Sequence, residues 1–561
     1  MTAKQAGFWR RYRALKWTLG VLLAVLIALG VAISIVLHNA EPMLRAEIVK
    51  ELEEHFHTHV ELDSFHVSLV NGLWAEGEGL RIWPPEQGAG GTASGTISSS
   101  GPGTEIRPLI QIGEFRFHAP LHYKPGQPVR ISVVQLKGLD IDIPPKSHLA
   151  HKFAAQPGEQ HSTLPVRFVV DSIRCDDAHL TIETDKPGKL PLEFAIAHIK
   201  LTDTHTDGAM QFDAELTNPK PAGKILTGGR VGPWAVDDPG DTPLDGSYRF
   251  EHADLGVFKG IAGIMESTGK YVGVLRDLTV DGETDTPDFR LTKFGTAVPL
   301  HTVFHAHVDG TNGDTYLQPV DATLGKSRFI CEGKVVRVPP GTAKDGTPMP
   351  GGHDIALNVT VNGGRMEDFL RLTSKSGTPL LTGRLALKTF LEIPPSKAPV
   401  DEKLRLKGSF LLEDAQFTSA KIQEKVSSLS LRGRGKPKEA KHDEDPDVRS
   451  TIESDFTMAD AMITLPNLIY TVPGAEIDLK GTYGMQGGVL NFVGTARTDA
   501  TVSQMIGGWK GALLKPADPF FKRDGAGTEV PIHVEGTRED PKFGVDLGRM
   551  KHTHPQIPGQ P

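Results

Sequence analysis

At 561 residues, with 38% hydrophobic and 23% charged residues, the chain is too long for one ordinary compact domain and apolar enough to fold. Its net charge of −8 excludes the basic footprint of a nucleic-acid-binding protein. The two cysteines, Cys175 and Cys331, exclude a disulfide framework and a cysteine-built zinc site, while 61 glycines and 41 prolines predict frequent turns between short strands.

Residues 1–16 carry Lys4, Arg10, Arg11, Arg13 and Lys16 and no acid. An uncharged stretch follows from Trp17 to Leu37, and its residues, Leu22, Leu26, Ile27 and Ile33 among them, are predominantly apolar. At about 1.5 Å per residue a helix of this length covers about 31 Å, the thickness of a bilayer's hydrocarbon core. Glu41, Glu47 and Glu51 stand beyond it. The charge bias predicts a single-pass anchor with a cytoplasmic N-terminus and an exported body. A cleaved leader is the alternative, but it would have a shorter apolar region and small residues where Leu37 and His38 stand.

After the anchor, Met43 or Leu44 with Ile48, Leu52 and Phe56 recur at helical spacing, with Pro42 at the helix start. The period then changes to two, at Val60 and Leu62, at Phe65, Val67 and Leu69, and at Leu80 and Ile82. Strands are predicted over 131–145, 179–185, 194–203, 302–310, 328–338, 354–363, 403–417, 475–484 and 489–498. Short amphipathic helices are predicted at 254–266, 365–372, 419–429 and 501–514. Flexible insertions are expected at 86–104, 341–353 and 432–450, and a disordered tail at 549–561. A loose Leu-x-Gly unit recurs at 136–138, 406–408 and 479–481. The fold class read from this pattern is mainly β. It is an elongated, curled antiparallel sheet whose apolar side lines a groove, with an N-terminal part over 41–300 and a C-terminal part over 301–548.

Chemistry-bearing motifs are sparse. Gly325-Lys326-Ser327 resembles the end of a phosphate loop, but Val320 stands where that loop needs its first glycine. His301, His305, His307 and Asp309 alternate along one strand and form the best metal candidate. Phe304, Ala306 and Val308 alternate with them, so the histidine side reads more simply as a wet face. His55, His57 and His59 are a weaker cluster, and the Asp176-Asp177 pair alone does not make a catalytic site. No catalytic, cofactor-binding or metal residue is assigned, and an enzyme is not expected. The candidate groove lining is Leu404, Leu406, Phe410 and Leu412, with Ile477 and Leu479.

The anchor, the helix and HVELDSFHVSLVNGLWAEGEGLRIWPP resemble the opening of the AsmA-like family of envelope proteins. LKGSFLLEDAQFTSAKIQEKVSSLSLRGRG, LPNLIYTVPGAEIDLKGTYGMQGGVLNFVGTARTDA and VPIHVEGTREDPKFGVDLG follow that family's C-terminal order, and the resemblance covers most of 17–548. It implies a periplasmic β-groove body anchored in the bacterial inner membrane and projecting toward the outer membrane. With about 20 strands at about 4.8 Å spacing, the sheet would be on the order of 100 Å long. The expected partners are the inner membrane and phospholipid acyl chains, and also outer-membrane or envelope proteins if the body is instead an assembly scaffold.

Overall fold

Alternation with period two becomes strand along most of the chain. The computed structural model describes residues 41–54, 56, 58–68, 74–84, 107–118, 129–145, 168–184, 186, 189–204, 208–235, 238–292, 296–342, 348–373, 378–396, 398–441, 448–485, 487–521, 527–538 and 540–545. The expected anchor (17–37), the insertion at 86–104 and the tail at 549–561 lie outside them. Among the described residues no helix is long and apolar enough to cross a membrane. The protein is mainly β, and 24 strands belong to one mixed sheet. The chain divides into two compact units, one built mainly from residues before 246 and the other from 186–190, 218–225 and 246 onward. The 300/301 division falls within the second unit.

In the first unit the strands are β1 (Val60–Glu61), β2 (Ser64–Ser68), β3 (Trp74–Ile82), β4 (Ile110–His118), β5 (Val129–Ile131), β6 (Val134–Ile143), β7 (Phe168–Val170), β8 (Ser172–Ile182), β9 (Leu192–Thr202) and β10 (Met210–Pro219). β3 pairs with β1, β2 and β4, and the ladder continues through β6, β8, β9 and β10. β6 and β8 are parallel, as are the short β5 and β7. This corrects the wholly antiparallel expectation. Parallel neighbours require a long return connection rather than a hairpin, and the chain between Ile143 and Ser172 supplies one. β5 and β6 also divide the run at 131–145 that reads as one strand in sequence.

Helix α1 (41–54) meets this sheet with its apolar stripe. Leu44, Ile48, Leu52 and Phe56 pack on a core of Val60, Leu62, Phe65, Ile112 and Phe115. Met43 is 59% exposed, which decides between the two candidates for the first stripe position. Arg45 donates to the Leu62 carbonyl. Glu41 and Glu53 accept from the backbone amides of Val67 (3.0 Å) and Val60 (3.1 Å). Polar ends thus tie the helix to the strands that its apolar face covers.

The remaining strands are β11 (Ala222–Val231), β12 (Pro243–Asp254), β13 (Ile261–Ala262), β14 (Ile264–Val274), β15 (Asp277–Thr286), β16 (Arg290–Leu291), β17 (Leu300–Asp309), β18 (Asp314–Leu324), β19 (Ser327–Val338), β20 (Gly341–Thr342), β21 (Pro348–Met349) and β22 (Gly352–Arg365). They continue with β23 (Leu381–Ile393), β24 (Arg405–Phe417), β25 (Ser450–Ala459), β26 (Met462–Val472), β27 (Ala475–Gly484), β28 (Val489–Thr498), β29 (Thr528–Thr537) and β30 (Pro541–Val545). From β14 onward the main-sheet strands run as an antiparallel meander, each paired with the next. Helices α2 (Met366–Leu372), α3 (Val400–Lys403), α4 (Ala420–Gly433), α5 (Val502–Ile506) and α6 (Gly508–Leu514) occupy connections.

Two expected helices differ. Residues 254–266 form the end of β12, a single 3-10 turn, β13 and the start of β14. The helical spacing of Leu255, Phe258, Ile261 and Met265 is defeated by Gly260 and Gly263, whose φ angles of +105° and +145° no helix contains. Asp254 accepts from the Gly256 amide (2.8 Å), which favours the turn further. The 501–514 helix is broken into α5 and α6 at Gly507, where φ is 67°. The expected insertion at 341–353 contains the β20–β21 pair and the start of β22. Part of 432–441 is ordered as the end of α4 and a 3-10 turn at Glu439–Lys441.

Candidate functional site: one apolar face of the sheet

The register of the second unit sorts its side chains into two sets, because residues directly opposite each other share a face. One cross-strand row runs Tyr271, Val280, Ala306, Leu317, Gly333, Leu357, Leu391, Leu406, Met458, Ile463, Tyr483 and Leu490. It crosses every strand of the meander from β14 to β28 without a charge. Neighbouring positions on the same face are Phe410, Leu412, Leu387, Leu385, Val359 and Val361. Among the described, paired positions of this face from β14 to β30, the only arginine, lysine, histidine or carboxylate side chains are Arg337 and His353. The alternate positions hold the charges, with some apolar residues among them: Arg405, Lys407, Lys388, Asp478 and Lys480 all point the other way, as do Phe390 and Ile330. An open cavity of about 500 Å³ is lined mainly by this second set, including Asn362, Lys388, Ser409, Glu453 and Asp455, and so belongs to the polar face.

Leu406, Phe410 and Leu412 therefore share one face, and Ile477 and Leu479 lie on it too, opposite Tyr470 and Leu468. Leu404 is the exception in placement, because it caps α3 ahead of β24 rather than standing in the strand. Leu406, Phe410, Ile477 and Leu479 are half-buried, whereas Leu412 is 1% exposed. The difference comes from cover. Met366 and Phe369 of α2 pack on Leu385, Leu412 and Ala415. Residues of α4 pack on Val472 and Ala475, and its Lys425 ammonium lies 5.6 Å from the Phe543 ring.

Two of the three Leu-x-Gly units acquire a physical reason here. A Cβ at Gly408 would fall 2.0 Å from the Lys388 carbonyl oxygen, and one at Gly481 2.1 Å from that of Asn491. These glycines stand where neighbouring backbones approach too closely for any side chain.

The histidines of β17 are spread out rather than convergent. His301 bonds Asp285 (2.7 Å), His305 bonds Asp281 (2.5 Å) and His307 lies 3.4 Å from Asp277, all across to β15. Asp309 instead accepts from the Thr311 amide (2.9 Å) in its own turn. Among the described residues no three His, Cys, Asp or Glu side chains converge as a metal site. His59 lies between Glu53 and Glu61, while His55 and His57 fall outside the described residues. Asp176 bonds His198 (2.7 Å). Gly325-Lys326-Ser327 is a hairpin turn fixed by α2, where buried Asp368 accepts from the Lys326 amide (2.9 Å) and the Ser327 hydroxyl (2.8 Å). Cys175 and Cys331 are both free thiols, and burial pushes each above the usual thiol range.

No family model matches the chain, and no curated protein or solved structure is detectably similar to it.

Proposed function

We propose that the protein is a non-enzymatic lipid carrier of the bacterial envelope, anchored in the inner membrane by residues 17–37, whose periplasmic body holds phospholipid acyl chains on the apolar face of its sheet. The observation that carries this reading is the uncharged row from Tyr271 to Leu490. A sheet face of that composition needs an apolar partner, and much of this one is half-buried rather than sealed. At about 0.8 kcal/mol per buried CH₂, two acyl chains could be held without any specific side chain. The resemblance to AsmA-like proteins points the same way, toward traffic between envelope membranes in support of outer-membrane biogenesis.

A scaffold that binds outer-membrane proteins is the second reading, favoured by β30. Phe543 and Val545 on this strand are 66% and 53% exposed, and among the described residues its second edge is unpaired. Lipid mass spectrometry on the purified full-length protein separates the two. Phospholipid in fixed proportion to protein supports carriage. Its absence from native preparations, with envelope proteins captured through β30, supports the scaffold.

A further inference from the structure

On the polar face of the second unit, charges are matched across strands at several points. Arg384 bonds Glu413 (2.6 Å), Arg405 lies 3.8 Å from Glu392, Lys334 3.6 Å from Asp354 and Arg497 3.2 Å from Glu476. Inside the open cavity of about 500 Å³ between β22 and β26 no such match is made. Lys388 stands opposite Ser409 rather than an acid, and Glu453 stands between Leu411 and Ile469. Among the described residues, the side chains of Asn362, Lys388, Ser409 and Glu453 have neither a hydrogen-bond nor an ion-pair partner, and all four are exposed to the cavity.

The hollow has a local cause. Four successive ladders slip in register here: β22–β23 between Asn362 and Gly364, β23–β24 between Thr382 and Arg384, β24–β25 between Leu412 and Ala415, and β25–β26 between Glu453 and Thr457. Bulges bend and twist the strands that carry them. At the last slip Asn467 fills the gap, accepting from the Asp455 amide (2.9 Å) and donating to the Asp455 carboxylate (3.0 Å), which fixes that carboxylate at the rim. The floor is one cross-strand row in which Ala386, Leu411 and Ile469 are half-buried. Lys388, Ser409 and Asp455 form the next row. Phe390, one row farther along the same face, is 43% exposed.

Donors and acceptors are thus interleaved beside an apolar strip, and neither sign of charge dominates, since the Lys388 ammonium shares the cavity with the Glu453 and Asp455 carboxylates. A sugar ring has the complementary chemistry. It is neutral, its hydroxyls both donate and accept, and its C–H faces are apolar. Four strands at about 4.8 Å spacing give a floor about 14 Å long, straight across the sheet, which suits an extended chain of rings.

We propose that this cavity binds an extended, equatorially linked oligosaccharide, its rings laid on Ala386, Leu411 and Ile469 with Phe390 at one edge, and its hydroxyls bonded to Lys388, Ser409, Glu453 and Asp455. The site lies on the face opposite the acyl-chain row and does not depend on that reading. A glycan polymer and a glycolipid headgroup share this chemistry, and the position away from the apolar row favours the polymer.

The experiment is isothermal titration of purified full-length protein with cellotriose and tri-N-acetylchitotriose, with triglycine as a neutral peptide control. At least one trisaccharide should bind saturably at a single site. Lys388→Met and Glu453→Gln should each weaken it about ten-fold, as expected for loss of a hydrogen bond to a charged group, and Phe390→Ala about three-fold. Circular dichroism and bound phospholipid should match the wild type in all three variants. Absence of saturable binding by either trisaccharide would overturn the proposal, as would an affinity unchanged in all three variants. Triglycine binding as tightly as the sugars would overturn the sugar assignment. An octyl cellobioside that binds more tightly than cellobiose, by a margin lost in Lys388→Met, would overturn the polymer in favour of a glycolipid headgroup.

Discussion

Leu406 on β24 stands directly opposite Leu391 on β23, both half-buried, while farther along the same two strands Leu412 faces Leu385 in a sealed core. One face of one strand pair thus passes from open to closed, and the passage follows the cover supplied by α2.

That gradient predicts opposite outcomes for one substitution at two places. Leu412→Asp buries an unpaired carboxylate among Met366, Phe369 and Leu385 and should cost about 4 kcal/mol or more. Leu406→Asp and Ile477→Asp can reach water and should cost less than about 2 kcal/mol while removing bound lipid. Melting temperature and lipid content, measured on the same samples, check this. Equal destabilisation at positions 406 and 412 would mean that the face is a closed core throughout.

At Gly408 the limit is steric. A methyl group there meets the Lys388 carbonyl oxygen and, at 2.7 Å, Thr389 Cα. Gly408→Ala should therefore force β23 and β24 apart and cost about 1–3 kcal/mol. Urea midpoints would show it, and an unshifted midpoint would mean that the two backbones stand farther apart than described.

Asp142 on β6 supplies a pH dependence. Desolvation, then Glu183, raises its pKa from 3.8 to about 6, with Arg107 at 3.9 Å only partly opposing. Its Oδ1 is buried without a hydrogen-bond partner among the described residues. The folded state holds this proton more tightly than the unfolded chain does. Stability should accordingly fall as pH rises from about 4 to about 6 and then level off. Asp142→Asn should remove that fall, stabilising the protein by up to about 3 kcal/mol at pH 7.5 and by little at pH 3.5. Parallel melts at the two pH values decide the matter, and an equal effect at both would be inconsistent with a raised pKa.

Asp368 is the link between α2 and the β18–β19 hairpin. Asp368→Ala strands the Lys326 amide and leaves the buried Ser327 hydroxyl only its longer bond to the Arg365 carbonyl (3.3 Å), for an expected loss of about 2 kcal/mol. Asp368→Asn keeps an acceptor oxygen and should recover part of it. Unfolding curves for the two variants that coincide with wild type would remove Asp368 as a structural tie.

For the anchor, native protein should sediment with membranes and retain residues before Trp17. A mature N-terminus near Glu41 would instead identify a cleaved leader.

Much of this protein was legible from local pattern. Strands could be read because alternation with period two is a property of consecutive residues, as at Leu406, Gly408, Phe410 and Leu412. α2 and α4 were legible from helical spacing, and α1 from a stripe that the structure places on a core. The same reasoning misread 254–266, because helical spacing there competes with glycines whose φ angles belong to turns. The parallel β6–β8 pair was not legible, since nothing in either strand records which neighbour lies beside it.

The sequence by itself determined which side chains of each strand alternate, since that depends only on neighbours one and two residues away. Register, decided by tertiary structure, brought Leu406 into one row with Tyr271 and Leu490. Packing of a connection brought Lys186 to Asp314, 128 residues away. Such pairings depend on ladders and packing between distant segments, and a one-residue slip in any ladder would have turned the apolar set to the opposite face.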